Sequence, residues 1–174
     1  MSRTDHKAGR QIAFIDLEAS GLGPQSWPIE IGWGFVGWAP RAMLVKPADA
    51  WSMKAWEKSA EELHQISIDQ LLREGKPPLE AALVLNAALG GAEVYSDAPD
   101  HDGFWLYRLY EAAGVKANFK LLDLTNLLAP LAISTPDDLV KRAQAIEPHT
   151  HRADQDVRHL MALYDLVLEE AGQA

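Results

Sequence analysis

One short stretch, Ile12-Ala13-Phe14-Ile15-Asp16-Leu17-Glu18, constrains the fold more than any other part of the chain. An apolar run this rich in β-branched and aromatic residues reads as a buried strand, and side chains along a strand alternate between the two faces of a sheet. Asp16 and Glu18 therefore point the same way. Two carboxylates on one face at the end of a hydrophobic strand repel each other and are costly to desolvate, and a cation between them removes both penalties. Hard divalent ions such as Mg²⁺ and Mn²⁺ take oxygen ligands of this kind. For the pair taken alone, one acid at the strand end and the other solvated in the loop of Gly21 and Gly23 is the alternative.

Two more strands follow. Ile29 to Val36 alternates Ile29, Ile31, Trp33 and Phe35 against smaller or polar residues, and Gly37 to Pro40 turns the chain back into Arg41 to Val45, which predicts an antiparallel hairpin. Glu30 reads as a structural hydrogen-bond partner within the second strand. Trp51 to Leu63 reads as loop and short helix, Ser67 caps a helix to Glu74, and Pro77-Pro78 starts one closed by Gly90-Gly91. A fourth strand, Ala92 to Ser96, ends in acids. A helix is predicted over Gly103 to Ala113 with Gly114 as its stop, a fifth strand over Phe119 to Leu122, and a helix capped at Thr135 that ends before Pro148. Strands first, then strands alternating with helices, predict an α/β fold with a mixed five-stranded sheet. Ligands of such sheets bind at the carboxyl ends of the parallel strands, where Asp16, Glu18 and the acids after strand four lie.

The final helix is predicted to begin near Arg152. Ala153, Val157, Leu160, Met161 and Tyr164 define its buried face. At 100° per residue Asp156 falls about 60° from Ala153, so it is the acid turned inward. His151 is better placed in the loop just before the helix, where its ring can swing over the same centre and serve as a general base near neutral pH.

Composition narrows the chemistry. The 174 residues, with six Trp, suffice for one domain over 1–174, with residues 1–10 expected to be a flexible N-terminus. No apolar run reaches the roughly 20 residues of a membrane span, and Met1 to Arg10 lacks a signal-peptide core, so the expectation is a soluble cytoplasmic protein without a membrane partner. With no cysteine, any metal is held by Asp, Glu or His. A net charge of −9 argues against coating long nucleic acid through a basic surface, but not against gripping one or two phosphates through bound cations.

Taken together, these residues resemble the DEDD 3′–5′ exonucleases of the histidine subtype, which share an RNase H-like fold with proofreading exonucleases and oligoribonuclease. The first motif stands as Phe14-Ile15-Asp16-Leu17-Glu18-Ala19-Ser20-Gly21-Leu22, followed by Ile29-Glu30-Ile31-Gly32. Leu63-His64-Gln65-Ile66-Ser67 is similar to the family's His-Gly-Ile-Thr segment, with Gln65 in place of glycine. The third motif is His151-Arg152-Ala153-Asp154-Gln155-Asp156. The second departs from the family: matching the start of the apolar helix puts its acid at Asp102, with Asp97, nearer the strand end, the competing candidate. His101 and His149 read as solvent-side or substrate-side residues, not ligands.

The resemblance implies a three-layer fold, with helices flanking the mixed sheet, and hydrolysis of phosphodiester bonds at the 3′ end of single-stranded DNA or RNA. Asp16, Glu18, Asp102 and Asp156 would hold two divalent cations, Mg²⁺ or Mn²⁺, roughly 3.5–4 Å apart. His151 would be the general base, with Glu18 catalytic beside it. Ala19, Ser20, Gly21, Leu22, Trp27 and His64 fall on the substrate side, Leu22 and Trp27 being the candidates for stacking on terminal bases. Partners beyond the nucleic acid 3′ end would be a polymerase or a second copy of the chain. The reading of a different class is a catalytically silent nucleic-acid or polymerase-binding module of the same fold; a nucleotide phosphatase is a third.

Overall fold

Strand β1, Ile12–Ala19, is the central strand of a five-stranded sheet ordered β3-β2-β1-β4-β5 in the computed structural model, which describes residues 11–131, 134 and 136–172. β2 (Pro28–Phe35) runs antiparallel to β1 and pairs in turn with antiparallel β3 (Arg41–Leu44), the expected hairpin. β4 (Glu93–Ser96) and β5 (Leu121–Asp123) are parallel to β1. The expectations for residues 1–10 and for the Thr135 cap lie outside the described residues.

Alternation along β1 divides the interior into two cores. Ala13, Ile15 and Leu17 point to one face, where they pack with Leu85 and Leu89 of α3 (Pro78–Leu89) and Trp105 and Leu109 of α4 (Pro99–Ala113). Phe14 points to the other, against Leu139 of α6 (Pro136–Ile146) and Val157 and Leu160 of α7 (Ala153–Glu170). Burying strands on both faces under helices gives the three-layer α/β arrangement. Asp16 and Glu18 follow Phe14 on the α7 side, beyond the apolar part of that core. Short helices α1 (Lys58–His64) and α2 (Ile68–Glu74) connect β3 to α3, and α5 (Leu124–Leu128) follows β5.

Two boundaries differ from the sequence reading. α4 begins at Pro99, four residues before Gly103, because a proline suits the first helical turn; Asp102 thereby enters that turn. β5 begins two residues late, because Leu121 and Leu122 are the residues opposite Val94 and Tyr95. Gly114 ends α4 in the left-handed conformation, φ +67°, as its position suggested. Gln65 is also left-handed, φ +58°, which is a reason for glycine at the corresponding position of the His-Gly-Ile-Thr segment. Among the described residues no helix is long and apolar enough to cross a membrane.

Candidate metal centre and cleft

Four elements converge where β1 and β4 end. β1 supplies Asp16 and Glu18, β4 runs into Asp97 and the first turn of α4, which carries Asp102, and the first turn of α7 carries Asp156. α7 is brought down onto the sheet at Gly32 of β2. A Cβ there would lie 2.3 Å from the carbonyl of Ala153, so only glycine lets the helix start this close. Glu30 fixes the same helix end. Its buried carboxylate accepts two hydrogen bonds from the Arg152 guanidinium, at 3.1 and 2.7 Å, and one from the Ala153 N–H at 2.9 Å. Glu30 is thus the hydrogen-bond partner its strand position suggested, and it caps α7 from the facing strand β2.

The carboxylates form two overlapping triads. Oxygens of Asp16, Glu18 and Asp156 lie within 4.8 Å of one another, and so do oxygens of Asp16, Asp97 and Asp102. Asp16 belongs to both. Its Oδ2 is buried and has no hydrogen-bond partner among the described residues. Burial, then the charges of Asp102, Glu18, Asp156 and Asp97, hold the Asp16 carboxyl well above the usual carboxylate range. Burial and the charge of Asp156 push Glu18 up to about 8. Asp102 is pushed up to about 7, chiefly by burial, although Ser96 donates a hydrogen bond to it at 2.5 Å. An oxygen-rich cluster this desolvated, with an orphaned carboxylate oxygen at its centre, fits hard divalent cations, and these clusters could hold metal ions.

Asp156, 1% exposed, accepts the backbone N–H groups of Thr150 at 2.7 Å and His151 at 3.1 Å. His151 lies in the loop before α7, exposed, with φ +58°. His149, expected on the solvent or substrate side and not among the ligands, has its Nδ1 2.8 Å from Asp156 Oδ2; this hydrogen bond holds the imidazole above its usual pKa. The left-handed turn at His151 folds the loop back over α7, which spacing along the chain does not reveal. Asp97, weighed against Asp102, stands beside it: both reach Asp16.

A cleft of about 290 Å³ opens over Asp16, Glu18 and Asp156, and Ala19, Gly21, Leu22, His64 and His151 are among the residues that line it. Leu22 is 72% exposed at its mouth. Glu57, which carried no signal in the sequence, shapes that mouth by accepting the N–H groups of Leu22 and Gly23, each at 3.1 Å. His64 is buried and lines the cleft. Its Nδ1 accepts the Ile66 N–H, which places the proton of the neutral ring on Nε2; that atom has no partner among the described residues, and burial lowers the ring's pKa. Two residues expected on the substrate side are structural. Trp27 is fully buried, stacked on Trp51 at 5.5 Å and tilted against Trp56, so no ring face is open to a base. Ser20 is fully buried too, its hydroxyl accepting the Trp27 N–H.

The sheet, its flanking helices and the site at the strand ends define an α/β protein of the RNase H-like fold with a carboxylate centre. Solved structures of Escherichia coli exonuclease I share this fold. The complex with a dT13 oligonucleotide superposes with a TM-score of 0.72 at 15% identity, covering 95% of this chain and 42% of that one. A structure described as suggesting how processivity is achieved gives 0.71 at 16% identity, over 93% and 41%. The product-bound structure gives 0.69 at 17% identity, over 94% and 44%. The chain therefore spans about two fifths of the length of these neighbours. No protein-family model matches the sequence, and no curated protein does.

Proposed function

We propose that this chain is a metal-dependent 3′–5′ exonuclease, hydrolysing phosphodiester bonds at the 3′ end of single-stranded DNA or RNA. One observation carries the reading: Asp16, shared by two carboxylate triads, keeps a buried oxygen with no partner among the described residues. Two triads with one common member suit a pair of cations, Asp16, Glu18 and Asp156 around one and Asp16, Asp97 and Asp102 around the other. Divalent cations, Mg²⁺ or Mn²⁺, would supply Lewis-acid polarisation of a phosphodiester and neutralise charge that develops as it is cleaved.

The remaining work falls to the chain's own groups. His151, exposed beside Asp156, takes the proton of an attacking water at its ring nitrogen. Asp156 holds the backbone of that loop through Thr150 and His151, fixing where the ring emerges. His64, buried against the cleft, keeps its Nε2–H without a partner among the described residues. Leu22, presented by the Glu57-clamped loop, gives an apolar surface on which a terminal base can stack without regard to its identity. The exonuclease I structures with oligonucleotide and with product support a single-stranded nucleic acid as substrate.

The test uses DNA and RNA strands labelled at the 5′ end, with Mg²⁺, with Mn²⁺ and with a chelator. A ladder shortening from the 3′ end, lost with chelator and in Asp16→Asn, is expected. Intact strands under every cation would favour the silent binding module, and release of phosphate from free nucleotides alone would favour a phosphatase.

A further inference from the structure

Asp156 stands between two kinds of donor. On one side are the oxygens of Asp16 and Glu18; on the other are the imidazoles of His149 and His151, which no step proposed above uses together. His149 Nδ1 lies 2.8 Å from Asp156 Oδ2, and donor atoms of His149, His151 and Asp156 all lie within 4.8 Å of one another. Donors of a tetrahedral zinc site sit about 2.0–2.1 Å from the ion and hence about 3.4 Å apart. Closing the set asks only for a side-chain adjustment of exposed His151, because Asp156 is already fixed by Thr150 and His151 N–H groups.

The two donor sets differ in chemistry. All-carboxylate triads suit hard cations, whereas two imidazoles and one carboxylate suit Zn²⁺ and its neighbours and leave a fourth position open. We infer that His149, His151 and Asp156 form a zinc-class cation site that shares Asp156 with one carboxylate triad but draws its other donors from imidazoles, and that filling it withdraws His151 and Asp156 from phosphodiester cleavage. Zinc then inhibits the reaction that Mg²⁺ supports. The inhibitory half of this inference rests on the proposed exonuclease function; the site itself does not.

Zn²⁺ binding is measured by competition with a chromophoric chelator in excess Mg²⁺, on the full chain and on His149→Gln, His151→Gln and Asp16→Asn, each checked by circular dichroism. Wild type and Asp16→Asn are expected to take up one Zn²⁺ with similar affinity, and both histidine variants to bind at least about tenfold more weakly. Co²⁺ absorption should report tetrahedral nitrogen ligation in wild type and lose it in His149→Gln. Equal affinity in wild type and His149→Gln would overturn the site, as would loss confined to Asp16→Asn, which would assign the ion to the carboxylates. Nuclease inhibition by Zn²⁺, relative to each protein's own rate in Mg²⁺, should disappear in His149→Gln. If wild type binds zinc through its histidines yet cuts no strand with Mg²⁺ or Mn²⁺, the exonuclease reading fails and the site stands.

Discussion

Gly32 and Ala153 meet backbone to backbone: a Cβ on Gly32 would lie 2.3 Å from the Ala153 carbonyl carbon and oxygen. This contact sets the height of α7 above the sheet, and so the position of Asp156 relative to Asp16 and Glu18. Gly32→Ala must push the helix outward. Overpacking of this kind costs about 1–3 kcal/mol, and displacing a catalytic group by a fraction of an ångström or more lowers turnover on the order of tenfold to a hundredfold. Urea unfolding and the end-labelled strand assay should both register the change; wild-type values in both would show that the helix start does not govern the site.

Glu30 and Arg152 fasten the same helix end, and their energetics separate cleanly. Arg152→Ala leaves the Glu30 carboxylate buried with the Ala153 N–H among its partners, an undercompensated charge expected to cost about 2–3 kcal/mol, below a fully buried pair because Arg152 is itself part-exposed. Adding Glu30→Gln removes the charge and should return about 1 kcal/mol of that loss. Chemical denaturation of both singles and the double tests this; a double variant as unstable as the sum of the singles would contradict it.

The carboxylate centre should make the cation-free protein weaken as pH rises. An acid with a higher pKa folded than unfolded binds more protons in the folded state, so stability falls across the interval between the two values. For Glu18 the interval runs from 4.5 to about 8, and for Asp102 from 3.8 to about 7. Thermal melts in chelator should therefore drop steadily between about pH 5 and pH 8. Excess Mn²⁺ should flatten that drop, and Asp16→Asn should melt higher than wild type in chelator while gaining less from Mn²⁺. A cation-free melting temperature that rises over this range would refute the clustered, desolvated acids.

Much of this centre is legible along the chain because period alone places it. Alternation in β1 puts Asp16 and Glu18 on one face, and the 3.6-residue repeat of α7 turns Asp156 inward. Asp97 against Asp102 could not be decided that way. α4 starts early enough at Pro99 that both acids lie within reach of Asp16, a consequence of three-dimensional closure. The loop residues were the least readable. Trp27 sits among turn formers yet stacks on Trp51 from a distant segment, and Glu57 clamps Leu22 and Gly23 across more than thirty positions of chain.

Leu22 and Trp27 should accordingly part company when truncated. Trp27→Ala removes a fully buried ring, with a cost of about 3–5 kcal/mol, whereas Leu22→Ala at an exposed site should stay within about 0.5 kcal/mol of wild type. On strands, Leu22→Ala should raise KM several-fold with little effect on melting. The opposite assignment, a stability loss at Leu22 or unaltered stability at Trp27, would overturn the division between cleft mouth and core.

The most direct measurement is anomalous diffraction from crystals grown with Mn²⁺. Two peaks are expected, one among Asp16, Glu18 and Asp156 and one among Asp16, Asp97 and Asp102, with Asp16 Oδ2 bound to a cation. Manganese bound elsewhere, or the acids unliganded at saturating cation, would contradict the metal centre on which the exonuclease reading depends.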